Sequence, residues 1–173
     1  MEITTILGIP AHPLMVHAPV VLVPLCAVAA ILMIWPSWRA RIGWVAVVLS
    51  GLALVFTQLA IDSGQGLEES VKETRLLNQH TEMGESGRPW VFLLFVGLLA
   101  VMLLGIWLRR RAAANGGTLA PNPTPIIVVA IITALIGIAA SYKIYEIGHS
   151  GAKATWSDVK IKAGGEGGES GEG

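Results

Sequence analysis

Apolar residues in this chain gather into four unbroken runs, with neither the alternation of a strand nor the one-sided stripe of a soluble helix. The runs cover about residues 13–35, 42–61, 90–108 and 126–147. Each is close to the ~20 residues a helix needs to cross about 30 Å of hydrocarbon. None carries a charge at its middle, which favours a membrane span over a buried helix of a soluble protein. Lipid offers no hydrogen-bond partners, so each run must satisfy its own backbone, and a helix does so. The pattern therefore predicts an all-α integral membrane protein, a bundle of four transmembrane helices. Trp35, Trp38, Trp44, Trp90 and Trp107 stand near the ends of the runs, where an interfacial aromatic belt belongs.

The stretches between the runs differ in character. From residue 63 to 88, Gly64 and Gly66 punctuate the exit from the second run, and residues 67–83 have helix-forming composition. Val71, Leu76, Leu77, His80 and Met83 form a sparse stripe there, which predicts an amphipathic helix lying on the membrane surface. Pro89 suits the first turn of the third span. Residues 113–125 hold Gly116, Gly117, Pro121, Pro123 and Pro125 and predict a turn-rich connector. Residues 163–173 are almost wholly Gly and Glu, a composition too polar to pack, so a disordered tail is expected after a single membrane domain over residues 1–162.

Composition sharpens the class. The chain is 53% hydrophobic and 14% charged, with a mean hydropathy of +0.64, outside the usual soluble range. Twelve basic residues balance twelve acidic ones, so there is no basic surface of the kind nucleic acid requires. Cys26 is the single cysteine, and its place in an apolar run marks it as a small packing residue. Residues 1–8 lack a basic start and no clear cleavage site follows, so the first run is expected to remain as an anchor. Arg39 and Arg41 lie in the first link and Arg109, Arg110 and Arg111 begin the third, with no acidic residue in either. By the positive-inside rule these links are cytoplasmic. A multi-pass protein of the bacterial inner membrane follows, with both termini and the long middle loop extracytoplasmic.

That topology delivers all four histidines, His12, His17, His80 and His149, to the extracytoplasmic side. His12 and His17 flank the mouth of the first span in His12-Pro13-Leu14-Met15-Val16-His17-Ala18-Pro19. On one continuous helix they would sit roughly 140° apart, converging only if His12 leaves the helix. Pro19 and Pro24 lie inside the run, where each removes a backbone donor and a kink is expected. At the end of the fourth span, Tyr142, Glu146 and His149 are spaced to share a face, with Tyr145 beside it. Gln58 and Asp62, four apart, end the second span. Histidine ligands usually give their second ring nitrogen to a carboxylate or carbonyl. That role is expected of Asp62 and Glu146, with Tyr142 and Gln58 bordering the pocket.

Neutral imidazole ligates metals and takes protons near pH 7. Two opposed histidines can hold haem b between bundle helices, and three or four can hold a transition metal such as zinc or copper. The chain has no Cys-x-x-Cys-His, His-Glu-x-x-His, phosphate loop or Gly-x-Ser-x-Gly, so no covalent haem and no catalytic constellation is expected.

Residues 9–19, Ile-Pro-Ala-His-Pro-Leu-Met-Val-His-Ala-Pro, resemble the opening signature of a family of uncharacterised bacterial four-span membrane proteins, domain of unknown function 2231. The later Gly148-His149-Ser150-Gly151-Ala152 is similar to the family's closing Gly-His-x-Gly-Gly, with Ala152 at the second glycine, and His80 matches its loop histidine in order. The resemblance spans about residues 8–160. It implies an integral membrane protein, in some relatives joined to or encoded near Rieske-type iron–sulfur proteins, hence a respiratory or Rieske-type redox partner.

The leading expectation is a small membrane protein of electron transfer or redox sensing that holds haem b or a metal at the extracytoplasmic helix ends. His17 and His149 rank ahead of His12 and His80 as ligands. The alternative is a non-catalytic accessory subunit of a larger complex, or a homo-oligomer, in which small residues such as Ala130 and Ala134 allow close helix contact. A proton-coupled carrier is weaker, because mid-span charges are lacking.

Overall fold

The computed structural model describes residues 5–6, 9–68, 74–114 and 123–156. Two dipeptides, β1 (Thr5–Ile6) and β2 (Ile9–Pro10), pair antiparallel ahead of four helices: α1 (Ala11–Leu32), α2 (Pro36–Glu68), α3 (Arg75–Ala114) and α4 (Thr124–Trp156). All four are long and apolar enough to cross a membrane, as the four runs predict. They form a ring in which α1 and α3 each pack on α2 and α4, with only slight contact across the α1–α3 diagonal.

Local chemistry sets the helix ends. After Leu32 the chain turns through three residues, with Trp35 N–H bonded to the Leu32 carbonyl at 3.1 Å. Pro36 then opens α2, where a missing N–H costs nothing. Thr74 caps α3 by accepting the Leu77 N–H on its hydroxyl at 3.2 Å. Pro125 falls in the first turn of α4, again a tolerated place.

The middle segment departs from the sequence expectation. Gly64 and Gly66 do not end α2, which continues to Glu68, and the helix capped by Thr74 does not lie apart on the surface. It runs unbroken through Pro89 into the third span, so residues 75–83 are the first turns of α3 and Pro89 is interior. Once Thr74 has capped the helix, one proline removes one hydrogen bond and does not end it. Val71 and the 163–173 tail lie outside the described residues. Pro19 and Pro24 are both inside α1 as expected, and the helix continues to Leu32.

At ~1.5 Å per residue, α2 and α4 extend about 50 Å and α3 about 60 Å, well beyond the ~30 Å of hydrocarbon. One end of the bundle carries Arg39, Arg41 and Arg109 to Arg111 and is called here the arginine end. The other, with the start of α1 and the end of α4, is the histidine end. The five belt tryptophans are all exposed on the bundle surface, as are Val21, Val45, Leu103 and Leu135, a distribution that suits a lipid-facing exterior.

The interior is lined by small residues. Cys26, Ala27 and Ala30 of α1 and Ala130, Ala134, Gly137 and Ala140 of α4 are all buried. A Cβ added at Gly137 would lie 2.9 Å from the Ala27 Cα, a clash with backbone that no rotamer relieves. Gly137→Ala should therefore force α1 and α4 apart and cost about 1–3 kcal/mol, read as a lower thermal midpoint in detergent. Gly105→Ala, whose new methyl would find only Ile126 at 4.0 Å, should be neutral or gain up to about 1 kcal/mol of helix propensity.

Candidate functional site

All four helices contribute to a cavity of about 540 Å³ at the histidine end, within the range of small-molecule pockets. Its wall is largely apolar, built from Val16, Pro19, Val20, Ile61, Ile144 and Ile147. Two imidazoles line it. His12 projects from the first turn of α1 and His80 from the second turn of α3, with ring centroids 6.2 Å apart and planes at 78°. Gln65, Glu68 and Glu85 also line the space, and the Gln65 amide donates to the Glu85 carboxylate at 3.0 Å, tying α2 to α3.

Each ring is held by its Nδ1. His12 Nδ1 lies 2.8 Å from the Ala60 carbonyl oxygen of α2. A carbonyl can only accept, so His12 carries its proton on Nδ1 and leaves Nε2 with a free lone pair. His80 Nδ1 lies 2.9 Å from Ser150 Oγ, whose hydroxyl donates to the Ile147 carbonyl at 2.8 Å. The serine proton is thereby committed, its oxygen accepts, and His80 takes the same tautomer.

Two glycines make room for these rings. A Cβ at Gly64 would stand 3.0 Å from His12 Cε1 and Nδ1, and one at Gly151 would stand 2.9 Å from His80 Cε1. Both glycines lie inside helices, where their cost in helix stability is offset only by this close approach. Gly64, Gly151, Ser150 and the Ala60 carbonyl had no part in the sequence-based site. The available signal was their spacing from the buried stripes: Gly64 follows Ala53, Thr57 and Ala60, and Gly151 follows Gly137, Ala140 and Ile144.

The other expected site residues stand elsewhere. His17 is exposed, and its Nδ1 turns back to the Pro13 carbonyl of its own helix. His12 does not leave the helix, so the ~140° separation holds and the two rings diverge. His149 is exposed and stacks on Tyr145 at 6.0 Å and 12°. The helix does persist through Gly148, and the shared face of Tyr142, Glu146 and His149 forms, but it points outward. Glu146 pairs with Lys143 at 3.2 Å, and Tyr142 is 61% exposed. Asp62 accepts from the Gln58 amide at 2.7 Å, and Gln58 in turn meets Arg88 at 3.4 Å. These bonds lie on the outer faces of α2 and α3, and Ala60 and Ser150 take the orienting roles expected of Asp62 and Glu146. The structure thus brings together two of the four histidines. Among the described residues, no group of three or more His, Cys, Asp or Glu is placed to hold a metal ion.

Electrostatics favour a neutral ring at His80. His80 is held below the usual imidazole value of 6.5, first by burial and then by the neighbouring His12, while the Ile147 backbone and the Glu68 carboxylate pull the other way.

The sequence profile of the family described as "Predicted membrane protein (DUF2231)" matches residues 8–162, and the chain belongs to that family. No curated protein and no solved structure matches it.

A group whose folded-state pKa is depressed contributes stability above its unfolded value, and that stability is lost as pH falls through the folded one. Thermal stability in detergent should therefore be flat above about pH 6.5 in its His80 contribution and decline below it, with His80→Gln flattening the decline. Gly151→Ala should displace the His80 ring and cost about 1–3 kcal/mol of stability, read as a lower thermal midpoint. A substitution that left both midpoint and acid sensitivity unchanged would contradict the packing described.

Proposed function

We propose that this DUF2231 membrane protein binds haem b through His12 and His80 and serves in electron transfer or redox sensing. The observation that carries the proposal is the pair of imidazoles on separate helices, each fixed at Nδ1 so that Nε2 is left for a ligand bond, at the wall of an apolar cavity. Iron in haem takes four nitrogens from the porphyrin and asks the protein for only two. Zinc asks for three or four protein ligands, more than the pair supplies.

Haem b supplies one-electron chemistry when bound. The chain's own contribution is to hold the ligands and shape their surroundings. The bonds from Nδ1 to Ala60 and Ser150 fix ring orientation and raise the basicity of Nε2. Depressed protonation at His80 keeps that ring available as a ligand at neutral pH. The apolar wall lowers the polarity around the pair, and hydrophobic surroundings of this kind tune a bound iron's potential.

In this reading the arginine end is cytoplasmic under the positive-inside rule, and the pocket opens on the extracytoplasmic side of the bacterial inner membrane. A respiratory or Rieske-type protein would dock there as redox partner.

Purified after expression with adequate haem supply, the protein should show a Soret band with near one haem per chain. His12→Ala and His80→Ala should each abolish it, while His17→Ala and His149→Ala should leave it intact. A spectrum without haem overturns the proposal. Copper at near one per chain in that case would assign the same pair to two-coordinate copper, and neither cofactor would favour the accessory-subunit role.

A further inference from the structure

The arginine end gathers cations with no carboxylate beside them among the described residues. Arg39 in the first turn of α2 is only 8% exposed. It spends one of its five N–H donors on the Met33 carbonyl at 3.2 Å, capping the end of α1. Arg109 of the neighbouring α3 acts on it as a like charge. No Asp or Glu occurs between Glu2 and Asp62 or between Glu85 and Glu146. Among the described residues every carboxylate lies toward the histidine end, on the far side of the hydrocarbon. A buried guanidinium without a counter-ion is costly, and among the described residues no carboxylate stands at this end to serve as one.

We infer that Arg39 and Arg109 form a binding site for the phosphodiester of an anionic lipid in the adjoining leaflet. The guanidinium fork matches phosphate oxygens in pairs, and juxtamembrane arginines are attracted to anionic headgroups. Trp38 and Trp107, both exposed, place the neighbouring surface at headgroup depth. Arg111 is already committed, with its guanidinium 5.2 Å from the centre of the Trp107 ring. The site is independent of the histidine pocket, which lies at the other end of the bundle.

The test uses the full chain, delipidated in a neutral detergent and titrated with phosphatidylglycerol, phosphatidylcholine or inorganic phosphate. Thermal unfolding and native mass spectrometry report binding. Phosphatidylglycerol should raise the midpoint and remain as a discrete adduct. Arg109→Gln, an exposed position whose change does not disturb the core, should weaken that binding roughly fivefold, and adding Arg39→Gln should abolish it. Arg75→Gln at the opposite end should leave it unchanged. Equal stabilisation by phosphatidylcholine overturns the site, as does equal stabilisation by inorganic phosphate alone. Unaltered binding in Arg109→Gln, or an equal loss in Arg75→Gln, overturns it as well.

Discussion

Contact between small side chains on the inward faces of the helices determines where everything else in this molecule can stand. Inside lipid there is no hydrophobic gain in choosing one apolar face over another, so close backbone approach and dispersion decide which face turns inward. Ala27 against Gly137 is one such approach between α1 and α4, and Thr133 against Gly97 plays the same part between α4 and α3. Once those faces are locked, the rotational phase of each helix is fixed along its whole length. Beyond the hydrocarbon the helices have no second chance to turn, because α2, α3 and α4 continue unbroken past the aromatic belt.

That phase selects the pocket's residues. On α3, Leu98, Leu94, Val91 and Gly87 are buried, and stepping back by the same three or four residues reaches Gly84 and His80. On α1, Val23 and Pro19 lead back through Val16 to His12. On α4 the stripe through Ala140 and Ile144 leads on to Ile147, Gly148 and Gly151. His17 and His149 are out of step with these stripes and so reach the surface, however suitable their chemistry.

Four spans, their tryptophan belt and the arginine-bearing links were legible because they depend on bulk hydrophobicity and charge. The pairing of His12 with His80 was harder to read for a physical reason. In a membrane helix nearly every position is apolar, so a hydrophobic stripe does not mark the inner face; smallness does. Ala, Gly, Ser and Thr at three- and four-residue steps carried that information in the sequence. The histidines were instead weighed by nearness to the span ends, which favoured His17 and His149. The surface helix was misplaced for a related reason. Glycine and proline weaken a helix by amounts that tertiary packing routinely exceeds, so Gly64, Gly66 and Pro89 did not mark boundaries.

The same continuity explains why the pocket sits where it does. Along the apolar spans, alanine and glycine let the helices approach closely, as Ala27 and Gly137 do. Beyond them the bundle lines include Val16, Ile61, Leu77 and Ile147, larger side chains that hold the helices apart, while Gly64 and Gly151 open room for a ring on each side. A cavity at that level has an apolar wall but remains within reach of water and of carboxylates such as Glu68 and Glu85. The described carboxylates share this end and leave the arginine end uncompensated, so one charge asymmetry sets the two ends of the bundle apart, imidazoles at one and guanidinium groups at the other.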